Sequence, residues 1–234
     1  MIAEDRGDCV VWRAPACRES WFGHRLELDR SIDPAAGFAR WEREQPGIDV
    51  DRRFLAWETP LDEPFPEIPA RFAPSFGVGL ERPPAPAARV PAVLPIEEAE
   101  DLEPAIAAAG RQHPQFGDGY RVYVRWLYEG LAAQGATMFV ARDGDRVVAA
   151  ATVVPGPDRL ARFQEVWTDA AHRRRGLATA LVTAAVRAYA DRTLLILCDE
   201  GSEAHRIYVR CGFRPVSRWV ELSTERDGRA FPAP

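Results

Sequence analysis

One stretch decides the fold of this 234-residue chain, and it reads Val166-Trp167-Thr168-Asp169-Ala170-Ala171-His172-Arg173-Arg174-Arg175-Gly176-Leu177-Ala178-Thr179-Ala180-Leu181. The pattern predicts a strand that ends at Thr168, a basic turn, and a helix that Arg175-Gly176 opens. The first turn of a helix has unpaired N–H groups and the positive end of the helix dipole. We therefore expect an anion site here, above all for a pyrophosphate. Taken alone, the stretch also fits a solvent-exposed basic turn that caps an amphipathic helix.

Regularly alternating elements surround this stretch from residue 93 onward. Asp143-Gly144 joins two apolar runs and predicts a hairpin, and the nearly all-apolar run 193–197 is typical of a strand buried on both faces. The predicted strands are 93–96, 138–142, 146–151, 161–168, 193–197 and 219–222, and the predicted helices are 97–109, 121–134, 175–190 and 202–210. Their sum is an α/β or α+β domain with a mixed sheet.

The N-terminal part predicts a smaller α/β segment. Arg25–Leu28 alternates polar and apolar residues, as a half-buried strand does. Asp33-Pro34 offers an N-cap and a proline for the first turn of a helix that runs to about Gln45, and Phe54–Trp57 is a second strand. Half of the 20 prolines fall between residues 60 and 95, which predicts an irregular connector with one short strand, Phe76–Leu80. We place the domains at 1–87 and 88–234.

Composition excludes several classes of protein. With 47% apolar and 28% charged residues, the chain can bury a core and is not a disordered protein. Its net charge of −5 argues against nucleic-acid and membrane-surface partners. Apolar runs are far shorter than the roughly 18–20 residues of a membrane span, and residues 1–8 do not resemble a secretory signal. We therefore expect a cytoplasmic protein.

The types of reactive side chain in the sequence exclude several kinds of catalytic site. All 30 basic residues are arginine, which excludes a lysine Schiff base and a P-loop lysine. The sequence has no G-x-S-x-G nucleophile motif. The four cysteines are expected to be reduced and lack zinc-site spacing, and the four histidines lack metal spacing, so no metal site is predicted. The cysteines are Cys9, Cys17, Cys198 and Cys211, and the histidines are His24, His113, His172 and His205.

Three motifs together resemble those of the GNAT superfamily of acyl-CoA-dependent N-acetyltransferases. The pyrophosphate motif Arg/Gln-x-x-Gly-x-Gly/Ala is matched by Arg173, Gly176 and Ala178. Further on, Ala204 to Tyr208 matches Ala-x-x-x-Tyr, and Gly212-Phe213 matches the family's Gly-Phe. The resemblance covers residues 88–222. It implies a mixed, mostly antiparallel sheet with splayed central strands flanked by helices, to which residues 1–87 add the smaller α/β segment.

The resemblance also implies a co-substrate, acetyl-CoA, and a place for it. In this family a bulged strand precedes the motif, and the pantetheine arm bonds to its backbone as an extra strand would. A backbone N–H of that strand would polarise the thioester carbonyl, and the amine attacks without a covalent enzyme intermediate or a metal. The implied cofactor-binding residues are Val166, Trp167, Thr168, Arg173, Arg174, Arg175, Gly176, Leu177, Ala178 and Thr179.

Two proton transfers need partners. Tyr208 matches the family's tyrosine and is the candidate acid for the leaving thiolate; the alternative is an aromatic packing residue. Glu165 is the candidate base, directly or through water; the alternative is a surface glutamate. A bulge would decide whether Glu165 or its neighbour Gln164 points inward. His172 is interpreted as solvent-exposed or as a phosphate contact, His205 as a surface residue, and Cys198 as buried filler rather than a nucleophile.

The sequence leaves several questions open. Where the family often has an asparagine before the last helix, this chain has Gly201, which puts one pantetheine contact in doubt. The acceptor is a small-molecule or peptide amine, and a homodimer remains open. Residues 1–87 are either a degenerate copy of the same fold or an extension that lines the acceptor pocket or a dimer interface; they carry Trp12, Trp21, Trp41 and Trp57. The alternative function is a non-catalytic acyl-CoA-binding regulatory module.

Overall fold

The structure, a computed structural model, describes residues 2–15, 23–48, 50, 52–69, 72–85, 91, 93–112 and 117–225. The chain divides into two compact units, residues 1–78 with 216–234 and residues 79–215. This division differs from the sequence-based boundary at 87/88. The C-terminal strand β11 (Arg214–Glu225) explains part of the difference, because its residues 218–225 pair antiparallel with Arg52–Thr59 in the first unit.

In the described residues of the first unit, one α-helix lies on a face of a sheet. Its strands are β1 (Ile2–Asp5), β2 (Cys9–Arg13), β3 (Arg25–Leu28), β4 (Arg52–Thr59) and the end of β11. Pairing is antiparallel except between β3 and β4. Leu26 and Leu28 are buried while Arg25 and Glu27 are half-buried, which confirms the predicted alternation.

Helix α1 (Pro34–Glu44) covers that sheet and begins as predicted. The Asp33 carboxylate accepts a hydrogen bond from the Ala36 N–H at 2.9 Å, and Pro34 occupies the first helical turn. Gly37 faces β4 so closely that a Cβ there would lie 2.5 Å from Leu55 Cδ1. Trp41 and Trp57 are in the core of this unit. Trp21, in contrast, lies outside the described residues.

The second unit carries a sheet ordered β10-β9-β8-β7-β6 with helices against it. Its elements in chain order are β5 (Ala73–Arg82, shared with the first unit), β6 (Ile96–Glu98), α2 (Glu103–Gln112), α3 (Gly117–Ala132), β7 (Thr137–Asp143), β8 (Arg146–Pro155), β9 (Leu160–Thr168), α4 (Leu177–Ala188), β10 (Thr193–Asp199) and α5 (Glu203–Arg210). Strand β10 is parallel to β9, and the other pairs are antiparallel. Residues 147–154 of β8 are all buried, because α2 and α4 both pack against this strand.

Several predicted boundaries are corrected by the structure. The strand expected at 93–96 is Ile96–Glu98, and the helix expected from Glu97 begins at Glu103. Residues 96–98 instead pair with residues 139–141 of β7, so sheet pairing overrides local helix propensity. The hairpin is confirmed, with Gly144 and Asp145 between the paired Asp143 and Arg146.

Strand β10 is not buried on both faces, contrary to the expectation. Leu197 is 50% exposed, because the pairing of β10 with β9 covers only residues 193–195 and 160–162. Beyond Leu195 the two strands separate, as the resemblance implies for the central strands. Strand β8, in contrast, is buried on both faces.

Neither a membrane span nor a metal cluster is found in the part of the chain that the structure describes. There, no helix is long and apolar enough to cross a bilayer, and no group of three or more His, Cys, Asp or Glu side chains could hold a metal ion. Cys9, Cys198 and Cys211 are free thiols, while Cys17 and His113 lie outside the described residues.

Candidate active site

The basic turn joins the end of β9 to the start of α4. A 3-10 turn, Ala170–His172, follows the strand, and Arg173 Nε donates to the Thr168 carbonyl at 3.2 Å. Gly176 is the N-cap of α4 with φ +82°, in the left-handed region that favours glycine. No side chain of the described residues caps this helix, so the N–H groups of its first turn are available to a ligand.

A cavity of about 610 Å³ opens in front of this helix N-terminus. Its lining residues are Gln112, Val166, Trp167, Thr168, His172, Arg173, Arg174, Gly176, Leu177, Ala178, Thr179, Glu203, Ala204, Ile207, Tyr208 and Arg210. We call it the phosphate cavity. Nine of the ten residues proposed to bind the cofactor line it. Arg175 does not, and its side chain is exposed.

The charge of the phosphate cavity suits an anion. Arg173, Arg174 and Arg210 line it against a single acidic residue, Glu203. The dipole of the 12-residue helix α4 adds to this positive field. A diphosphate therefore fits both the unpaired amides and the guanidinium groups of this cavity.

A second cavity, of about 310 Å³, lies where β9 and β10 separate. We call it the strand cleft. Its lining residues are Phe163, Glu165, Val166, Ile196, Leu197, Cys198, Asp199, Ser202, Ala204 and Tyr208. Val166, Ala204 and Tyr208 line both cavities, so a long ligand can extend from one cavity into the other.

Tyr208 stands where the two cavities meet. It is the buried residue of α5, 5% exposed, and its ring packs 6.2 Å from that of Phe213. Burial raises the pKa of its phenol, and the nearby Cys198 and Cys211 add to the increase. The phenol therefore stays protonated at neutral pH and can serve as a proton donor.

Glu165 is the bulge residue of β9. Gln164 pairs with Thr152 and Val166 with Ala151, so Glu165 has no partner on β8, and its φ is +56°. This places Glu165 in the lining of the strand cleft, whereas Gln164 is not part of it. Burial raises the pKa of the Glu165 carboxyl, and a hydrogen bond from Gln164 opposes the increase in part.

Helix α3 contributes aromatic residues that the sequence analysis missed. Trp167 Nε1 donates to Tyr128 Oη at 3.2 Å, which ties β9 to α3 just beyond the bulge. The charge of Glu165 raises the pKa values of Tyr120 and Tyr128, after burial as the main cause. The only signal in the sequence was the repeated aromatic residues of this helix, which also fit a core face.

Gln112 is a further residue that the sequence did not single out. It lines the phosphate cavity, and its side chain donates to the Asp169 carboxylate. Asp169 is 5% exposed and also accepts from Arg146 Nη2 at 2.7 Å. A buried carboxylate held by two donors fixes the end of β9, where the basic turn starts.

The structure also gives the positions of the histidine and cysteine residues that the sequence analysis considered. His172 lines the phosphate cavity, and its Nε2 lies 3.0 Å from Asp143 Oδ2. Its side chain is only 13% exposed. Of the two interpretations given for His172, the solvent-exposed residue is therefore wrong. Cys198 lines the strand cleft, and burial raises the pKa of its thiol to about 11, which disfavours a thiolate nucleophile. His24 is buried in the first unit.

Gly201 stands where the resemblance described above implies an asparagine. Its φ is +75°, and its N–H donates to His205 Nδ1 at 3.0 Å. Arg206 Nη1 donates to the Gly201 carbonyl at 2.8 Å, and Ser202 caps α5 as predicted. The loop before α5 is thus held by His205 and Arg206, two side chains of the helix it precedes.

Comparison with protein families finds a match in one region of the sequence. Residues 134–215 match the family model of the acetyltransferase (GNAT) domain. This region contains all lining residues of both cavities except Gln112. No curated protein matches the sequence significantly.

Solved structures share the fold at low sequence identity. A conserved protein of unknown function from Staphylococcus epidermidis has a TM-score of 0.71 and 12% identity, over 95% of this chain and 92% of that one. A GCN5-related N-acetyltransferase from Kribbella flavida has a TM-score of 0.62 and 19% identity, over 95% and 89%. A tandem GNAT protein from the clavulanic acid biosynthesis pathway has a TM-score of 0.58 and 15% identity, over 95% and 81%. These similarities confirm the predicted fold class.

Proposed function

We propose that this chain is an N-acetyltransferase that moves an acetyl group from acetyl-CoA to a primary amine, since residues 134–215 match the family model of the GNAT acetyltransferase domain. One observation carries the proposal. An arginine-lined cavity at a helix N-terminus meets the strand cleft at Tyr208, and the bulge residue Glu165 lies in the same cleft. An anion site, a proton donor and a proton acceptor therefore lie along one path.

The chain's own groups suit acetyl-CoA. The diphosphate would contact the amides from Arg174 to Thr179, with the Arg173 and Arg174 side chains beside it. The pantetheine arm would run along residues 166–168, which line the phosphate cavity, and its thioester would reach the strand cleft.

The transfer needs no covalent enzyme intermediate. The ammonium of the acceptor loses a proton to Glu165, and the free amine attacks the thioester carbon. A C–N bond forms as the C–S bond breaks, and Tyr208 supplies the proton that the leaving sulfur takes up. The nitrogen releases its second proton to solvent as it becomes the amide, and solvent restores the Tyr208 phenol. Backbone N–H groups of β9 would stabilise the negative charge that develops on the carbonyl oxygen. The enzyme thus contributes positioning and two proton transfers.

Glu165 should impose a pH dependence on the reaction. Since burial raises the carboxyl pKa and a base acts as the carboxylate, kcat/KM should fall as pH decreases through a pKa above the usual glutamate range. Glu165→Gln should lower kcat by about 100-fold or more and remove this limb. The measurement is the pH profile of CoA release.

Glu97→Gln is the matched control for that profile. Glu97 is exposed and pairs with Arg142, so its loss should leave the profile unchanged. An acidic limb that persists in Glu165→Gln with wild-type kcat would exclude Glu165 as the base.

Calorimetric titration of acetyl-CoA into the full chain tests the proposed function directly. We expect saturable binding with a Kd in the micromolar range. A folded wild-type chain that binds no acetyl-CoA would contradict the proposal. Binding without turnover on any amine would instead favour the non-catalytic acyl-CoA-binding module.

Residues 1–87 are proposed to have a structural role without a CoA site of their own. Residues 1–87 contain no Arg-x-x-Gly-x-Gly/Ala motif. The fold similarity to a tandem GNAT protein over 95% of this chain supports the interpretation of this region as a degenerate copy. A cytoplasmic location, where acetyl-CoA is supplied, is part of the same proposal.

A further inference from the structure

The strand cleft is where the acyl group of the thioester and the acceptor amine would bind. It continues from the phosphate cavity through Val166, Ala204 and Tyr208, so the acyl group and the acceptor must share it if acetyl-CoA binds as proposed above. Its volume of about 310 Å³ is at the lower end of sites for small molecules. The cleft therefore fits a compact acceptor.

The charges of the two cavities are opposite. The charged residues of the strand cleft are Glu165 and Asp199, and none of its described lining residues is basic. The phosphate cavity, in contrast, has three arginines. In a chain with 30 arginines, the structure gives Glu165 no arginine partner among the described residues. The cleft thus complements a cation and repels a carboxylate.

The rest of the cleft is mostly apolar. Phe163, Ile196 and Leu197 line it, and Leu197 presents an apolar side chain that is 50% exposed. A ligand that matches this surface has an ammonium group and an apolar body.

We propose that the acceptor is a small primary amine with an apolar body and no carboxylate next to the amine, selected by the charges of Glu165 and Asp199 in the strand cleft. Free α-amino acids are excluded by this arrangement, because their carboxylate would enter a cleft that already holds two. This inference rests on the proposed acetyltransferase function.

Three amines with the same aromatic body test the proposed exclusion of a carboxylate next to the amine, which we call the charge rule. Phenethylamine, phenylalanine and phenylalaninamide share the aromatic body and the amine. Phenylalanine adds a carboxylate, while phenylalaninamide adds similar bulk without the charge. With acetyl-CoA as donor, we expect kcat/KM for phenylalaninamide within about 10-fold of phenethylamine, and for phenylalanine at least about 100-fold lower.

Asp199→Asn tests the assignment to the cleft. This change should raise KM for phenethylamine by about 10-fold with kcat nearly kept, and should improve phenylalanine relative to phenethylamine. Asp191→Asn is the matched control, since Asp191 is exposed, pairs with Arg159 and does not line the cleft. The control should leave all three kcat/KM values at the wild-type level.

The outcomes separate this inference from the function on which it rests. Equal turnover of phenylalanine and phenylalaninamide would overturn the charge rule and leave the acetyltransferase standing. Acetyl-CoA binding without acetylation of phenethylamine or hexylamine, while a lysine-containing peptide is acetylated, would overturn the small acceptor in favour of a peptide. Failure to bind acetyl-CoA would overturn the function itself.

Discussion

Gly176→Glu is expected to weaken acetyl-CoA binding by at least about 100-fold, which corresponds to roughly 2.7 kcal/mol. Three effects add at this position. The φ of +82° is strained for any residue with a Cβ, and the Cβ would lie 3.3 Å from Val93 Cγ1. The new carboxylate would also stand at the N-terminus of α4, where the diphosphate is proposed to bind. The measurement is the Kd from calorimetric titration, with circular dichroism to show that the variant is folded.

Gly7→Glu provides a matched control for that experiment. Gly7 has φ +88°, and a Cβ there would meet no atom within 4 Å, so the substitution has the same backbone strain without the ligand. Its Kd for acetyl-CoA should equal that of the wild type. Arg174→Ala removes one cavity guanidinium and leaves the backbone constraint unchanged, because Arg174 already has a φ of +58°. It should weaken binding by about 10-fold. If the Kd of both site variants stayed at the wild-type value, the phosphate cavity would not be the CoA site.

Tyr208→Phe is expected to lower kcat by about 100-fold to 1000-fold. Phenylalanine keeps the ring that packs against Phe213 but removes the hydroxyl that is proposed to supply the proton to the leaving sulfur. Because the hydroxyl acts only as the C–S bond breaks, the Kd for acetyl-CoA should change by no more than about twofold. Single-turnover kinetics with a saturating amine, together with the titration, measure both quantities.

Tyr189→Phe is the control for this loss of a hydroxyl. Tyr189 Oη donates to Thr137 Oγ1 at 2.9 Å in the same unit, and Tyr189 lines neither cavity. Its kcat should remain near the wild-type value. A Tyr208→Phe variant with wild-type kcat would show that Tyr208 is a packing residue, the alternative that the sequence allowed.

Local chemistry explains which elements could be predicted. The caps of α1 and α5, the hairpin turn and the turn before α4 depend on residues within a few positions of each other. Asp33, Ser202, Gly144 and Gly176 satisfy backbone groups or adopt conformations that few other residues can. Such signals are readable from a single sequence.

Strand pairing between residues that are distant in the chain explains where the sequence-based predictions differ from the structure. Residues 97 and 98 read as the start of a helix, yet they pair with Val140 and Phe139 of β7. Residues 218–225 follow the acetyltransferase motifs directly but pair with β4 in the first unit. Strand pairing depends on residues far away in sequence, and no local pattern encodes which of them will be the neighbour.

The sequence by itself determined the strand, turn and helix around Gly176 and the class of fold, because these depend on short motifs whose backbone chemistry is local. The tertiary structure alone decided that Glu165 is the bulge residue that enters the strand cleft in place of Gln164. The tertiary structure also brings Tyr128 of α3 into a hydrogen bond with Trp167. It also determines that the charged lining residues of the strand cleft are both acidic. These features arise where separate elements meet, and the register and packing that bring those elements together are set by burial across the whole unit.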